Sequence, residues 1–260
     1  MLKMDKQRSI YFQLMVYLAL RDIKIRYKQA VFGIAWAVVN PLFQALAISF
    51  IFSHYLGQPG KSSYYFLFVY TGFIFWNFFV QSLNASVYTL VGNADLVTKA
   101  VFPKEILVYS TLLSKVPDLI IPMILLLFLL PFYHIPFTIA MLWLPYFLVV
   151  QFLFTLSLCL LFAWLNVYFR DITALIPLVT MVWLFLTPIA YSMDSMPQIY
   201  RSISFFNPMT GIVEGVRAVL LGEGNFASNN FFVLPTLVIA LFFFNFILFK
   251  KAEKGFADTI

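Results

Sequence analysis

The segment RDIKIRYKQAVFGIAWAVVNP, Arg21 to Pro41, sets four basic residues (Arg21, Lys24, Arg26 and Lys28) directly ahead of an apolar run. Cations held at a headgroup layer followed by residues that enter hydrocarbon is the pattern of a chain entering a bilayer. Composition agrees. Hydrophobic residues make up 62% and charged residues 11% of the 260, with a mean hydropathy of +0.91, whereas soluble domains carry about 25% charged residues. The chain reads as an integral membrane protein.

Crossing about 30 Å of hydrocarbon takes about 20 helical residues. Apolar runs of that order lie at Val31 to Leu56, Tyr64 to Val91, Leu107 to Tyr133, Thr138 to Leu165, Ile172 to Ser192 and Phe232 to Phe249. The expected fold is all-α with six transmembrane helices. It divides into an N-terminal region, 1–30, a transmembrane domain, 31–249, and a tail, 250–260. Pro41, Pro117, Pro122, Pro177 and Pro188 interrupt these runs and predict kinks, because each removes a backbone donor.

Orientation follows from Lys and Arg, which remain on the cytoplasmic side. One side collects Lys3, Lys6, Arg8, Arg21, Lys24, Arg26, Lys28, Lys99, Lys104, Arg170, Lys250, Lys251 and Lys254, while the other has Lys61, Arg201 and Arg217. Both termini are expected in the cytoplasm, and the tail KKAEKG reads as ordinary positive-inside anchoring. No cleavable signal pattern precedes the first run.

Ile10 to Leu20, IYFQLMVYLAL, is too short to cross and too apolar for solvent, so it predicts an amphipathic interface helix with Ser9 as N-cap. Continued to Lys28, that helix carries Arg21, Lys24 and Lys28 on one face and offers an Asp22–Arg26 pair at i,i+4. Two readings stay open for these cations: attraction to anionic lipid, or steering of a phosphate-bearing lipid-linked substrate.

Lys115 and Asp118 fall within the third span, where charge is costly, and their i,i+3 spacing predicts an ion pair or a wet channel lining. Cys159 stands alone in an apolar run and predicts core packing. PGKSS, Pro59 to Ser63, contains GKS, but Tyr55 occupies the place of the first glycine a phosphate loop needs, so it reads as a turn. No His, Cys, Asp and Glu grouping suggests a metal site. The stretch Met193 to Phe231 is too long for a turn. Within it Asn207 and Pro208 start a helix whose apolar residues recur to Gly222, with Glu214 and Arg217 at i,i+3.

RDIKIRYKQAVFGIAWAVVNPL, FPKEILVYS (Phe102 to Ser110), LNVYFRDI (Leu165 to Ile172) and FNPMTGIVEGVRAVLLG (Phe206 to Gly222) together resemble the permease subunits of polysaccharide-exporting ABC transporters. The resemblance is strongest to the O-antigen type and extends to capsule and teichoic acid exporters. It covers nearly the whole chain. It implies a bacterial inner-membrane permease, two copies of this chain with two copies of an ABC ATPase, and a lipid-linked polysaccharide as cargo. It implies no catalytic residue and no cofactor in this chain, ATP and Mg being bound by the ATPase, and no nucleic-acid partner.

On that resemblance, NADLVTKAVFPKE carries a coupling helix capped by Asn93 or Asp95. Asp95, Leu96, Thr98 and Lys99 would meet the ATPase, with Arg170 and Asp171 as a second contact; a plain solvated connector is the alternative. The helix opened by Asn207 and Pro208 would form, with Ile199 to Phe206, a re-entrant external gate bearing Glu214 and Arg217, or else an interfacial cap. Aromatic residues are 20% of the chain. Their faces stack on sugar C–H surfaces, which makes Trp36, Phe73, Trp76, Phe78, Tyr168 and Phe169 candidates for a translocation path. An exporter of a small lipid or drug fits the composition equally, and a membrane glycosyl or acyl transferase would need clustered acids or histidines not found here.

Overall fold

The computed structural model describes residues 2–28, 33–54, 64–193, 196–204, 206–223 and 228–260. The turn at Pro59 to Ser63, Lys61 and the outer ends of the first expected span, Val31 and Leu56, lie outside these. The described residues are almost wholly helical: α1 (Leu2–Lys28), α2 (Trp36–His54), α3 (Tyr65–Gly92), α4 (Ala94–Lys99), α5 (Glu105–Leu129), α6 (Leu144–Tyr168), α7 (Ile172–Leu186), α8 (Gln198–Ser204), α9 (Pro208–Leu221), α10 (Ser228–Ala252) and α11 (Phe256–Thr259).

Among the described residues, four stretches are long and apolar enough to cross a membrane, Tyr65–Gly92, Glu105–Tyr133, Ile139–Tyr168 and Phe232–Thr259; Trp36–Phe52 and Ile172–Leu186 are apolar but shorter. The fifth expected span, Ile172 to Ser192, stops early at Leu186 because Pro188 follows. Thr187 already takes an extended conformation (φ −105°, ψ 130°), as the residue before a proline prefers. Pro188 therefore ends a helix where a kink was expected, while Pro41, Pro117, Pro122 and Pro177 lie within helices.

The bundle is organised around α3. Its residues are buried nearly all round, against α5, α6, α2, α7 and α9. In hydrocarbon there is no hydrophobic drive between apolar helices, so small residues and interhelical hydrogen bonds must hold them. Such bonds are present: Asn77 Nδ2 donates to Gln44 Oε1 at 2.7 Å between α3 and α2, and the Thr89 and Thr111 hydroxyls meet at 2.8 Å between α3 and α5. Asn166 Nδ2 reaches the Val87 carbonyl at 2.9 Å, and Asn245 Nδ2 reaches Ser157 Oγ at 2.9 Å, fixing α6 to α3 and α10 to α6. Each contributes about 0.6 kcal/mol. Cys159 is fully buried in the α6 core.

The N-terminal helix α1 packs along α5. It begins at Leu2, which places Ser9 in its interior instead of at a cap. The reason is propensity: the preceding Leu, Lys, Met, Gln and Arg residues favour helix, so the helix extends past the serine. Exposed apolar residues remain on α1 (Phe12, Tyr17), α7 (Leu178, Val182, Phe185) and α10 (Phe243, Ile247).

Candidate functional site

Two ends of the bundle carry the polar organisation. At the end where α3, α6 and α10 finish, α4 forms a six-residue helix whose single buried side chain is Val97. The Asp95 and Lys99 side chains are 85% and 77% exposed and pair at 2.5 Å. Thr98 is exposed and Leu96 half-buried. The α4 surface is thus held by one apolar anchor and otherwise open. Asn93 occupies the N-cap position, but its side chain caps nothing in α4. Its amide instead donates back to the Thr89 carbonyl at 2.8 Å, and its oxygen accepts from Arg21 of α1 at 3.4 Å. Arg170 and Asp171 sit exposed in the turn between α6 and α7, at the same end of the bundle.

The basic face of α1 is divided. Arg21 is committed to Asp22 at 2.8 Å as well as to Asn93. Arg26 bypasses Asp22 and forks between the Asp118 carboxylate and the Ser114 carbonyl on α5, both at 2.5 Å. Tyr27 donates to the second Asp118 oxygen at 2.7 Å; burial and that carboxylate push the Tyr27 phenol well above its ordinary range. Two expected pairs are therefore corrected. Asp22 pairs with Arg21 and not with Arg26, because Arg26 is drawn to the nearly fully buried Asp118, which it meets with one donor while the other serves the Ser114 carbonyl. Lys115 does not pair with Asp118, which is held by Arg26 and Tyr27 of α1. Lys24 and Lys28 remain exposed.

At the opposite end, α9 starts as read. Asn207 Oδ1 accepts from the Met209 backbone at 3.1 Å, Pro208 follows, and Gly222 closes the helix at φ 68°. The same oxygen accepts from Trp183 Nε1 at 3.0 Å, and the amide donates to Thr187 Oγ1 at 3.1 Å, which ties α9 to α7. The expected Glu214–Arg217 pair is present at 3.2 Å. Arg217 is fully buried, however, and its main role is wider. It donates to the carbonyls of Phe68 (3.0 Å), Ile189 (2.6 Å) and Pro188, and its guanidinium lies 3.5 Å from the centre of the Phe68 ring. One side chain joins α9 to α3 and to the segment after α7. Close packing permits this: a Cβ on Gly72 would lie 2.8 Å from the Arg217 guanidinium, and one on Gly215 would lie 2.1 Å from the Phe147 ring.

The six aromatic candidates do not share one surface. Phe73, Trp76 and Phe78 are buried in the α3 core, packed against neighbouring helices. Tyr168 is turned toward the tail, where its hydroxyl donates to the Ala252 carbonyl at 3.0 Å. Trp36 and Phe169 are exposed. Sequence reasoning missed a different aromatic group: Trp183, Tyr191 and Tyr200, together with Met196 and Asn207, line a cleft of about 420 Å³ between α7, α8 and α9. Its signal was available in the aromatic residues flanking the Asn207 cap.

The described residues thus place an exposed short helix at one end, a pinned helical cap at the other and a polar-stitched bundle between them. Against known sequences, a family model described as ABC-2 type transporter matches residues 13–221. This chain belongs to the ABC-2 type transporter family. Curated relatives include two proteins named O-antigen export system permease protein RfbA from Klebsiella pneumoniae, 28% and 26% identical. Each match covers 100% of this chain and 99% of the relative. A protein of the same name from Myxococcus xanthus is 24% identical, with both chains covered at 100%. ABC-2 membership makes this chain a membrane-embedded permease subunit, with an ABC ATPase as the implied partner.

Proposed function

We propose that this chain is the permease half of an ATP-driven exporter that moves a lipid-linked polysaccharide of O-antigen type outward across the bacterial inner membrane. The observation that carries the reading is the end-to-end likeness to permeases named for O-antigen export. Two copies of this chain work with two copies of the ATPase, which binds ATP and Mg. In this reading α2 and α7 cross with the four longer helices to give six spans, both termini face the cytoplasm, and α1 lies at the interface.

The α4 surface formed by Asp95, Leu96, Thr98 and Lys99 receives the ATPase, with Arg170 and Asp171 beside it. The exposed Lys24 and Lys28, and not the committed Arg21 and Arg26, are the cations left to attract an anionic headgroup. α8 and α9 form the outer gate, held shut through Asn207 and Arg217, and Glu214 belongs to the same anchor. The aromatic cleft beside them offers flat faces that suit sugar rings of varied hydroxyl pattern.

Depleting the protein from its host tests this. Loss of surface glycan with lipid-linked glycan retained on the cytoplasmic side is the expected result. Unchanged glycan in both places rejects a polysaccharide cargo in favour of a small lipid, and loss in both places points to synthesis.

A further inference from the structure

We propose that the C-terminal tail is a clamp that transmits movement of the α4 coupling helix to the last span, with Glu253 as its positioning residue. This rests on the coupling role proposed for α4. A six-residue helix with Val97 as its one buried side chain has little packing of its own to fix its place. The connector after it is no stiffer: Val101 is fully exposed. Beside the Val97 anchor, this segment is held by the tail, which is folded and not merely a basic run.

α10 continues through a tight turn, Glu253–Gly255, into α11, which packs against α4 and α6. Phe256 is fully buried, its ring edge-on to Phe249 at 5.5 Å. A Cβ on Gly255 would lie 2.6 Å from the Tyr168 hydroxyl, so the turn fits closely against the end of α6. Glu253 then reaches the connector. One carboxylate oxygen accepts the Lys104 backbone N–H at 2.7 Å, and the other accepts Lys250 Nζ at 2.9 Å.

Lys250 also meets Glu105, the first residue of α5, at 2.6 Å. The Lys104 ammonium in turn donates to the carbonyls of Ala100 at 2.5 Å and Leu96 at 3.4 Å, closing the C-terminal end of α4. A continuous set of bonds thus runs from the α4 carbonyls through Lys104 and Glu253 to the end of α10. Helix ends leave just such carbonyls in need of donors. A push on α4 must carry the tail and the last span with it.

Two readouts on the full chain separate this from a purely structural role and from the export reading. In the solubilised chain without nucleotide or cargo, Glu253→Ala should speed hydrogen exchange at the Lys104 amide about tenfold, the size of one lost charge-assisted bond, whereas Glu253→Gln, which keeps an acceptor, should largely preserve protection. In vesicles holding the permease with its co-purified ATPase, Glu253→Ala should keep ATP hydrolysis while glycan moved per ATP falls at least about fivefold, a typical coupling energy. Unchanged exchange, or unchanged glycan moved per ATP, would each overturn the proposal. So would an equal loss of hydrolysis, transport and recovered complex, which would mean simple misfolding. If wild-type vesicles hydrolyse ATP and move no glycan, the export reading fails, and the exchange measurement still decides the clamp.

Discussion

Arg26 of α1 grips Asp118 of α5 at 2.5 Å across 92 residues of sequence, with Tyr27 on the other carboxylate oxygen. This pair sews the N-terminal helix to the bundle and removes Arg26 from the cations free to meet a ligand. Asp118→Ala should therefore destabilise the protein by about 3 kcal/mol, at the lower end for a broken buried pair because Arg26 is 27% exposed. Chemical denaturation in detergent measures this, and a loss below about 1 kcal/mol would contradict it. Arg26→Lys should recover little, since an ammonium cannot fork between a carboxylate and the Ser114 carbonyl.

Gly215→Ala places a methyl carbon 2.1 Å from the Phe147 ring, where neither backbone nor ring yields easily. Overpacking of this kind costs about 1–3 kcal/mol, and Phe147→Leu in the same chain should return part of it. Nothing lies within 4 Å of a Cβ on Gly222, but its φ of 68° disfavours any side chain, so Gly222→Asn should be better tolerated than Gly222→Val. Melting temperatures of the four variants decide the matter.

Arg217→Ala leaves the Phe68, Pro188 and Ile189 carbonyls without their donor inside a fully buried site. α9 should then detach from α3. The check is labelling of Val216→Cys, buried in the parent chain, by an impermeant thiol reagent: slow in the parent and fast with Arg217→Ala. Equal rates would show that α9 is held by other contacts.

Substitutions at Asp95 and Lys99 should leave folding intact, since an exposed i,i+4 pair contributes little. Charge reversal of both should weaken ATPase association by about tenfold, the effect of one significant interface residue. Unchanged association in a pull-down titration would move the ATPase contact elsewhere, with Arg170 and Asp171 next to be tested.

The elements legible in the sequence were those governed by local rules. The apolar runs marked the membrane class, and Asn207, Pro208 and Gly222 bounded α9 because caps and left-handed glycines act within one turn. Glu214 and Arg217 met because helical spacing brings them together. What failed was long-range or competitive. Asp22 lost Arg26 to Asp118, a partner 92 residues distant that spacing on one helix does not reveal. The bonds of the tail were not legible because Lys250 and Glu253 meet Glu105 and Lys104 only through the fold. The bond from the Tyr168 hydroxyl to the Ala252 carbonyl likewise depends on a partner 84 residues away, which spacing along the chain does not reveal.

The most direct test of the central claim is reconstitution of this chain with its co-purified ATPase in vesicles loaded with lipid-linked glycan extracted from the depleted host. The account predicts that glycan becomes accessible to an external glycosidase only when ATP is present, and only when this permease is included. Glycan that stays protected while ATP is hydrolysed, or that crosses at the same rate without the permease, would contradict it.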